Sequence, residues 1–169
     1  MRKGIALMMI AVFGLLLSSC ATSETHSNPP DTHRSEVQGD WPIYAIEEML
    51  KGRTDLIALA QVDSVSDDKD PQIAELRLEE TFYGQSANTA IRLYQSTRQV
   101  QPGHKYLLFL SYREEIGQYV VSDGLSQTEV DNDKLQVKVK GIEGEYTIDQ
   151  FKQVIEEKEA SIAGSLHAS

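Results

Sequence analysis

Thiols, imidazoles and carboxylates do most of the nucleophilic, metal-binding and acid–base chemistry available to side chains. This chain has one cysteine, Cys20, and four histidines, His26, His33, His104 and His167. His26 and His33 fall in a polar segment and read as solvated linker residues, His104 sits in a turn before a strand, and His167 lies in the terminal tail. No Gly-x-Ser-x-Gly occurs, and Ser122 and Ser126 flank an ordinary turn at Gly124, so the sequence places no nucleophile beside a base. Glu79–Glu80 and Glu114–Glu115 are adjacent pairs, and neighbouring strand residues point to opposite faces, which suits neither pair to act as a dyad. Asp67, Asp68 and Asp70, like Asp131 and Asp133 around Asn132, lack the spaced oxygens, sixth-position glycine and closing glutamate of a calcium loop. They read as solvated turns. No catalytic residue, metal ligand or cofactor is therefore expected. The remaining candidates are Arg92, Tyr94, Arg98, His104, Lys105 and Tyr106, which would form one positive, aromatic binding patch if the third and fourth strands were neighbours.

Charge narrows the partners. The chain carries 16 Lys and Arg against 26 Asp and Glu, and loss of Arg2 and Lys3 with a leader leaves 14 against 26, a net charge of −12. Such an acidic protein repels phosphate backbones, and no concentrated basic stretch offsets this. Nucleic acid is excluded as an expected partner.

The N-terminus supplies an address. Arg2 and Lys3 precede an apolar run from Ile5 to Leu17 broken only by Gly14, which matches the charged and hydrophobic regions of a signal peptide. The run falls short of the roughly 20 apolar residues a membrane-spanning helix needs. Leu17-Ser18-Ser19-Cys20 resembles the lipobox of bacterial lipoproteins: an aliphatic residue and two small ones before a cysteine. The resemblance implies that residues 1–19 are a signal removed at Cys20, with Leu17, Ser18 and Ser19 recognised by the signal peptidase. Cys20 would carry acyl chains, and the mature protein would be extracytoplasmic, held to the bilayer by lipid. Ala21 offers no inner-membrane retention signal of the aspartate kind, so a two-membrane cell would place it on the outer membrane. An acylated Cys20 leaves no thiol for redox, thiolate or zinc chemistry.

Residues 20–39 then form the lipidated cysteine and a tether rich in Ser, Thr, Asn, Pro and charge, a composition with too little apolar surface to fold. A single domain follows over 40–162. Tyr44, Ile46, Met49 and Leu50 fit a short helix stopped by Gly52. Asp55 to Val62 is apolar on both faces until Gln61 and reads as a central strand. Ile73 to Phe82 alternates, with Ala74, Leu76, Leu78 and Phe82 on one face. Thr89–Gln95 gives a third strand and Tyr106–Leu110 a fourth, after a turn at Pro102-Gly103. Tyr119–Val121 completes a hairpin, and Leu135, Val137 and Val139 mark a sixth strand at a sheet edge. Thr147 with Gln150 three residues on is a capping box for a helix through Phe151, Val154 and Ile155 to about Ala160. Residues 163–169 read as a disordered tail.

Five to six short strands between two helices predict a mainly β domain, a small antiparallel barrel. The layout from Asp55-Leu56-Ile57 through Phe82 and Gly84 to Gly103-x-x-Tyr106-Leu107-Leu108-Phe109 is similar to the netrin-like barrels related to metalloproteinase inhibitors, which implies an OB-like fold. Those inhibitors use a free N-terminal cysteine and several disulfides. Neither is available here, so no functional residue carries over from the resemblance. The expected function is a membrane-anchored, non-catalytic binding or interaction module, whose partner besides the bilayer is an envelope protein or a small ligand. The alternatives are an envelope hydrolase whose site assembles only in the fold, and an assembly lipoprotein pairing through the Leu135–Val139 edge.

Overall fold

The computed structural model describes residues 41–66, 71–95, 99–132 and 134–166. The first helical turn, α1 (Ile46–Glu48), widens into a π-type turn over Met49–Arg53. Gly52, at φ +111°, ends it in the left-handed conformation that a glycine adopts without steric cost. Ile46, Met49 and Leu50 turn inward, which accounts for the helical spacing of apolar residues in so short an element.

Five strands close into a ring: β1 (Leu56–Val65), β2 (Gln72–Gly84), β3 (Ala90–Gln95), β4 (Lys105–Arg113) and β5 (Gln118–Val121). Around it the order is β1-β2-β3-β5-β4, with β4 pairing back onto β1 from Leu56↔Leu110 to Gln61↔Lys105. The fold is thus mainly β, an OB-like closed five-strand barrel with an extra strand and a helix towards either end. Four of the ring's seams are antiparallel; the fifth, β3 to β5, is parallel and consists of the single pair Leu93↔Tyr119. Parity requires this, since strands that alternate in direction around a ring of odd number must meet once with the same sense. A short sixth strand, β6 (Gln127–Glu129), continues past β4.

Alternation along β1 and β4 feeds two cores at once. Leu56, Ala58, Ala60 and Val62 point into the barrel with Leu108, Leu110, Ala74, Leu76, Ile91 and Leu93. Ile57, Leu59, Leu107 and Phe109 point outward into a second core shared with Ile46, Met49 and Phe151. The double-sided burial expected for β1 follows from this. Alanines at 58, 60 and 74 suit the narrow interior of so small a barrel.

Phe82 departs from its expected face. The β1–β2 register slips between Ile57 and Ala58 and again between Leu59 and Ala60. A bulge adds a residue to one strand and bends it. The first slip carries Phe82 out of the barrel, so Phe82 and Tyr83 both pack against the outer core. Phe82 meets Phe151 edge-on, with ring centroids 5.0 Å apart, and the Tyr83 hydroxyl donates to the Leu50 carbonyl at 3.1 Å. At the end of β2, Gly84 lies at φ +75° where an added Cβ would stand 1.9 Å from the Asp55 carbonyl oxygen.

The expected sixth strand takes another role. Leu135 and Val137 belong to β7 (Lys134–Val137), which pairs only with β8 (Gly144–Thr147) in a separate two-stranded sheet. Leu135, Val137 and Val139 are all buried in the outer core. Their apolar side chains are covered because this hairpin packs its apolar side under α2 rather than extending the barrel.

The capping box forms as its spacing requires: the Thr147 N–H donates to Gln150 Oε1 at 2.9 Å, and the Gln150 N–H to Thr147 Oγ1 at 3.3 Å. It opens α2 (Ile148–Leu166), which runs past Ala160 into the segment expected to fray. Ile162 still packs against the outer core, which extends the helix. Lys158 of α2 holds Glu47 of α1 at 2.6 Å, and this hydrogen bond keeps the Glu47 carboxyl below its ordinary range.

Candidate binding face

Inward Ala74, Leu76, Ile91 and Leu93 leave their strand neighbours pointing out. The outer wall of β1, β2, β3 and β5 accordingly bears Ser64, Ile73, Glu75, Arg92 and Gln118 around a depression of about 290 Å³. Its rim is tied by the β1–β2 turn, where Ser66 Oγ accepts the Ile73 N–H at 2.8 Å. Arg92 Nε of β3 lies 2.9 Å from Glu75 Oε1 of β2, and Arg77 of β2 pairs with Asp63 of β1 at 3.3 Å. Cross-strand neighbours of opposite charge neutralise this wall. Gln118 adds a side-chain carbonyl oxygen that is buried without a hydrogen-bond partner among the described residues. Such an atom is costly to leave unsatisfied. Paired charges with the Ser64 and Ser66 hydroxyls beside them suit a neutral polar guest.

Of the six residues expected to form a patch, Arg92 lines this depression, and Tyr94 is half-buried two positions further along β3, opposite Ile73. Arg98 lies outside the described residues. The other three do not join them, because β5 stands between β3 and β4 on one side of the ring and β1 and β2 on the other. His104 Nδ1 sits 2.5 Å from Glu129 Oε1, and Lys105 Nζ 2.7 Å from Glu79 Oε2. Tyr106 points into the barrel, only 3 % exposed, with its hydroxyl accepting the Gln101 N–H at 3.2 Å. Burial raises its pKa. Arg92, His104 and Lys105 thus each meet a carboxylate nearby, and the neighbouring of strands that the patch needs is not met.

A polar knot at the end of β5 was not singled out from the sequence. Asp123, 2 % exposed, accepts the Leu125 N–H and the Ser126 hydroxyl on Oδ1, at 2.8 and 2.7 Å, and the Tyr44 N–H on Oδ2 at 2.9 Å. Thr54 Oγ1 donates to Ser122 Oγ at 2.8 Å, and Ser111 donates to the Arg53 carbonyl. The signal was present in Ser-Asp-Gly-Leu-Ser over 122–126, since an aspartate two residues before a free N–H favours this turn. The knot binds the incoming N-terminal segment to the barrel, and its carboxylate is occupied in doing so.

Asp67, Asp68, Asp70 and Asp133 lie outside the described residues, as do Leu17, Ser18, Ser19, Cys20, His26, His33 and His167. Glu80 pairs with Lys152 at 3.6 Å, while Glu79 takes Lys105. Among the described residues no three of His, Cys, Asp and Glu gather closely enough to hold a metal ion. No protein-family model matches the chain, and comparison with curated proteins finds no match.

Proposed function

We propose that the protein is a lipid-anchored extracytoplasmic module that binds a polar small ligand or an envelope protein on its barrel wall and performs no chemistry on it. The observation that carries the anchor is Cys20, the only thiol of the chain, placed at the end of Leu17-Ser18-Ser19 and an apolar run behind Arg2 and Lys3. Two or more acyl chains hold a protein to a bilayer where a single chain is marginal. Among the described residues no helix is long and apolar enough to cross a membrane. The depression around Glu75, Arg92 and Gln118 supports binding, because its charges are balanced in place and the Ser64 and Ser66 hydroxyls line it. The commitment of Asp123 to three hydrogen bonds supports a holding role over a catalytic one.

The test compares the full chain with its Cys20→Ser variant in growing cells supplied with labelled palmitate. The wild type is expected to take up label, enter the detergent phase and migrate as a shortened mature form. The variant is expected to remain unlabelled and unshortened. Equal processing and equal detergent partitioning of the two would overturn the anchor.

A further inference from the structure

The four exposed large apolar side chains among the described residues are Trp41, Ile43, Tyr112 and Ile116. Two of them lie within three positions of each other, where residues 21–40 join the domain. They are not there because the segment is loose. Trp41 packs so closely on Gly124 that a Cβ at that glycine would meet it at 3.2 Å. The Tyr44 N–H is held by Asp123, and Ala45 bridges to Lys140 while the Ile46 N–H donates to the Lys140 carbonyl at 2.9 Å. A pinned backbone thus presents Trp41 at 45 % and Ile43 at 58 % exposure.

The charges beside them suit a membrane surface. The Arg53 guanidinium stacks 4.6 Å from the centre of the Tyr44 ring, and neither Arg53 nor Lys140 has an ion-pair partner among the described residues. The neighbouring carboxylates are engaged: Glu47 on Lys158, Glu48 on the Ala45 N–H, Glu143 on the Gly141 N–H, and Asp123 in its knot. A tryptophan with an aliphatic neighbour and flanking cations is the composition found where proteins meet lipid headgroups.

We propose that Trp41 and Ile43, flanked by Arg53 and Lys140, dock on the bilayer, so that the barrel rests on the membrane with a fixed side towards it. This rests on the lipid anchor proposed above. Residues 21–40 number twenty and span at most about 70 Å however they are arranged. Tethering of that length supplies an effective concentration on the order of millimolar, so a contact too weak to bind a free protein becomes populated.

Trp41 is the only tryptophan in the chain, and its fluorescence reports this face alone. The full acylated chain is reconstituted in vesicles of phosphatidylcholine and phosphatidylglycerol, with and without brominated acyl chains, and vesicle association is followed by flotation. Docking predicts blue-shifted emission and about twofold quenching by brominated lipid. Ile43→Glu is expected to abolish most of the quenching while flotation is unchanged. A chain that floats with the vesicles but keeps unquenched emission refutes docking and leaves the anchor standing. A chain that does not float refutes both. Emission that is indifferent to brominated lipid but shifts with protein density assigns the face to a second copy and likewise refutes docking.

Discussion

At the scale of single residues, Gly84 shows how a backbone position can exclude every other amino acid. Its left-handed φ and the Asp55 carbonyl, 1.9 Å from where a Cβ would lie, act independently, and the obstacle is main chain at the crossing of β1 and β2. Gly84→Ala is expected to cost roughly 2–5 kcal/mol, from the strain of a left-handed alanine plus overpacking. Urea denaturation of the variant and wild type measures this, and a loss below about 1 kcal/mol would show that the strand ends part freely. A glycine at 84, after Phe82 and Tyr83, suits the end of a strand, but the sequence contains no sign of the Asp55 contact, which depends on the pairing of distant strands. The same limit explains the candidate patch. Arg92 and Lys105 on their strands, and His104 just before β4, are exposed or half-exposed as expected, yet only the ring order decides that β5 separates them and that Glu75, Glu129 and Glu79 reach them first.

At the scale of elements, α2 is held by one side chain above all. Phe151 is fully buried and meets Phe82, Phe109 and Tyr146 edge-on at 5.0, 6.2 and 6.1 Å. Phe151→Ala leaves a cavity between helix, barrel and the β7–β8 hairpin, with an expected loss of about 3–5 kcal/mol. Thermal unfolding followed by circular dichroism checks it; a change within about 1 kcal/mol would mean that α2 is only laid against the barrel. This helix was legible in the sequence because its capping box and its apolar spacing agree. β1 to β5 were legible for a comparable reason, each having enough alternating or continuous apolar residues to declare its period. β6 and β8 were not. Gln127-Thr128-Glu129 contains no apolar residue, and Gly144-Glu145-Tyr146-Thr147 opens on a glycine. Both owe their conformation to partners distant in the fold or across a turn, not to local preference. Phe82 was assigned to the wrong face because a bulge inserts a residue without a sequence mark of its own.

At the scale of the whole molecule, the two cores share β1 and β4. Ile57 and Leu59 cannot leave the outer core without also moving Ala58 and Ala60 in the barrel. Unfolding is therefore expected as one transition, with far-ultraviolet and aromatic circular dichroism tracing superimposable urea curves. Helix signal lost at clearly lower urea than the aromatic signal would show that the outer layer detaches alone. Closure of the ring also bears on how such molecules tolerate company. A β-ladder polymerises when its last strand offers unused amides to the next copy, and in the ring of β1 to β5 the one loosely closed seam is the single pair Leu93↔Tyr119. The outer flanks of β6, β7 and β8 run only three, four and four residues, short for seeding a concatenated sheet, so copies packed densely side by side are expected to jostle without knitting into fibrils.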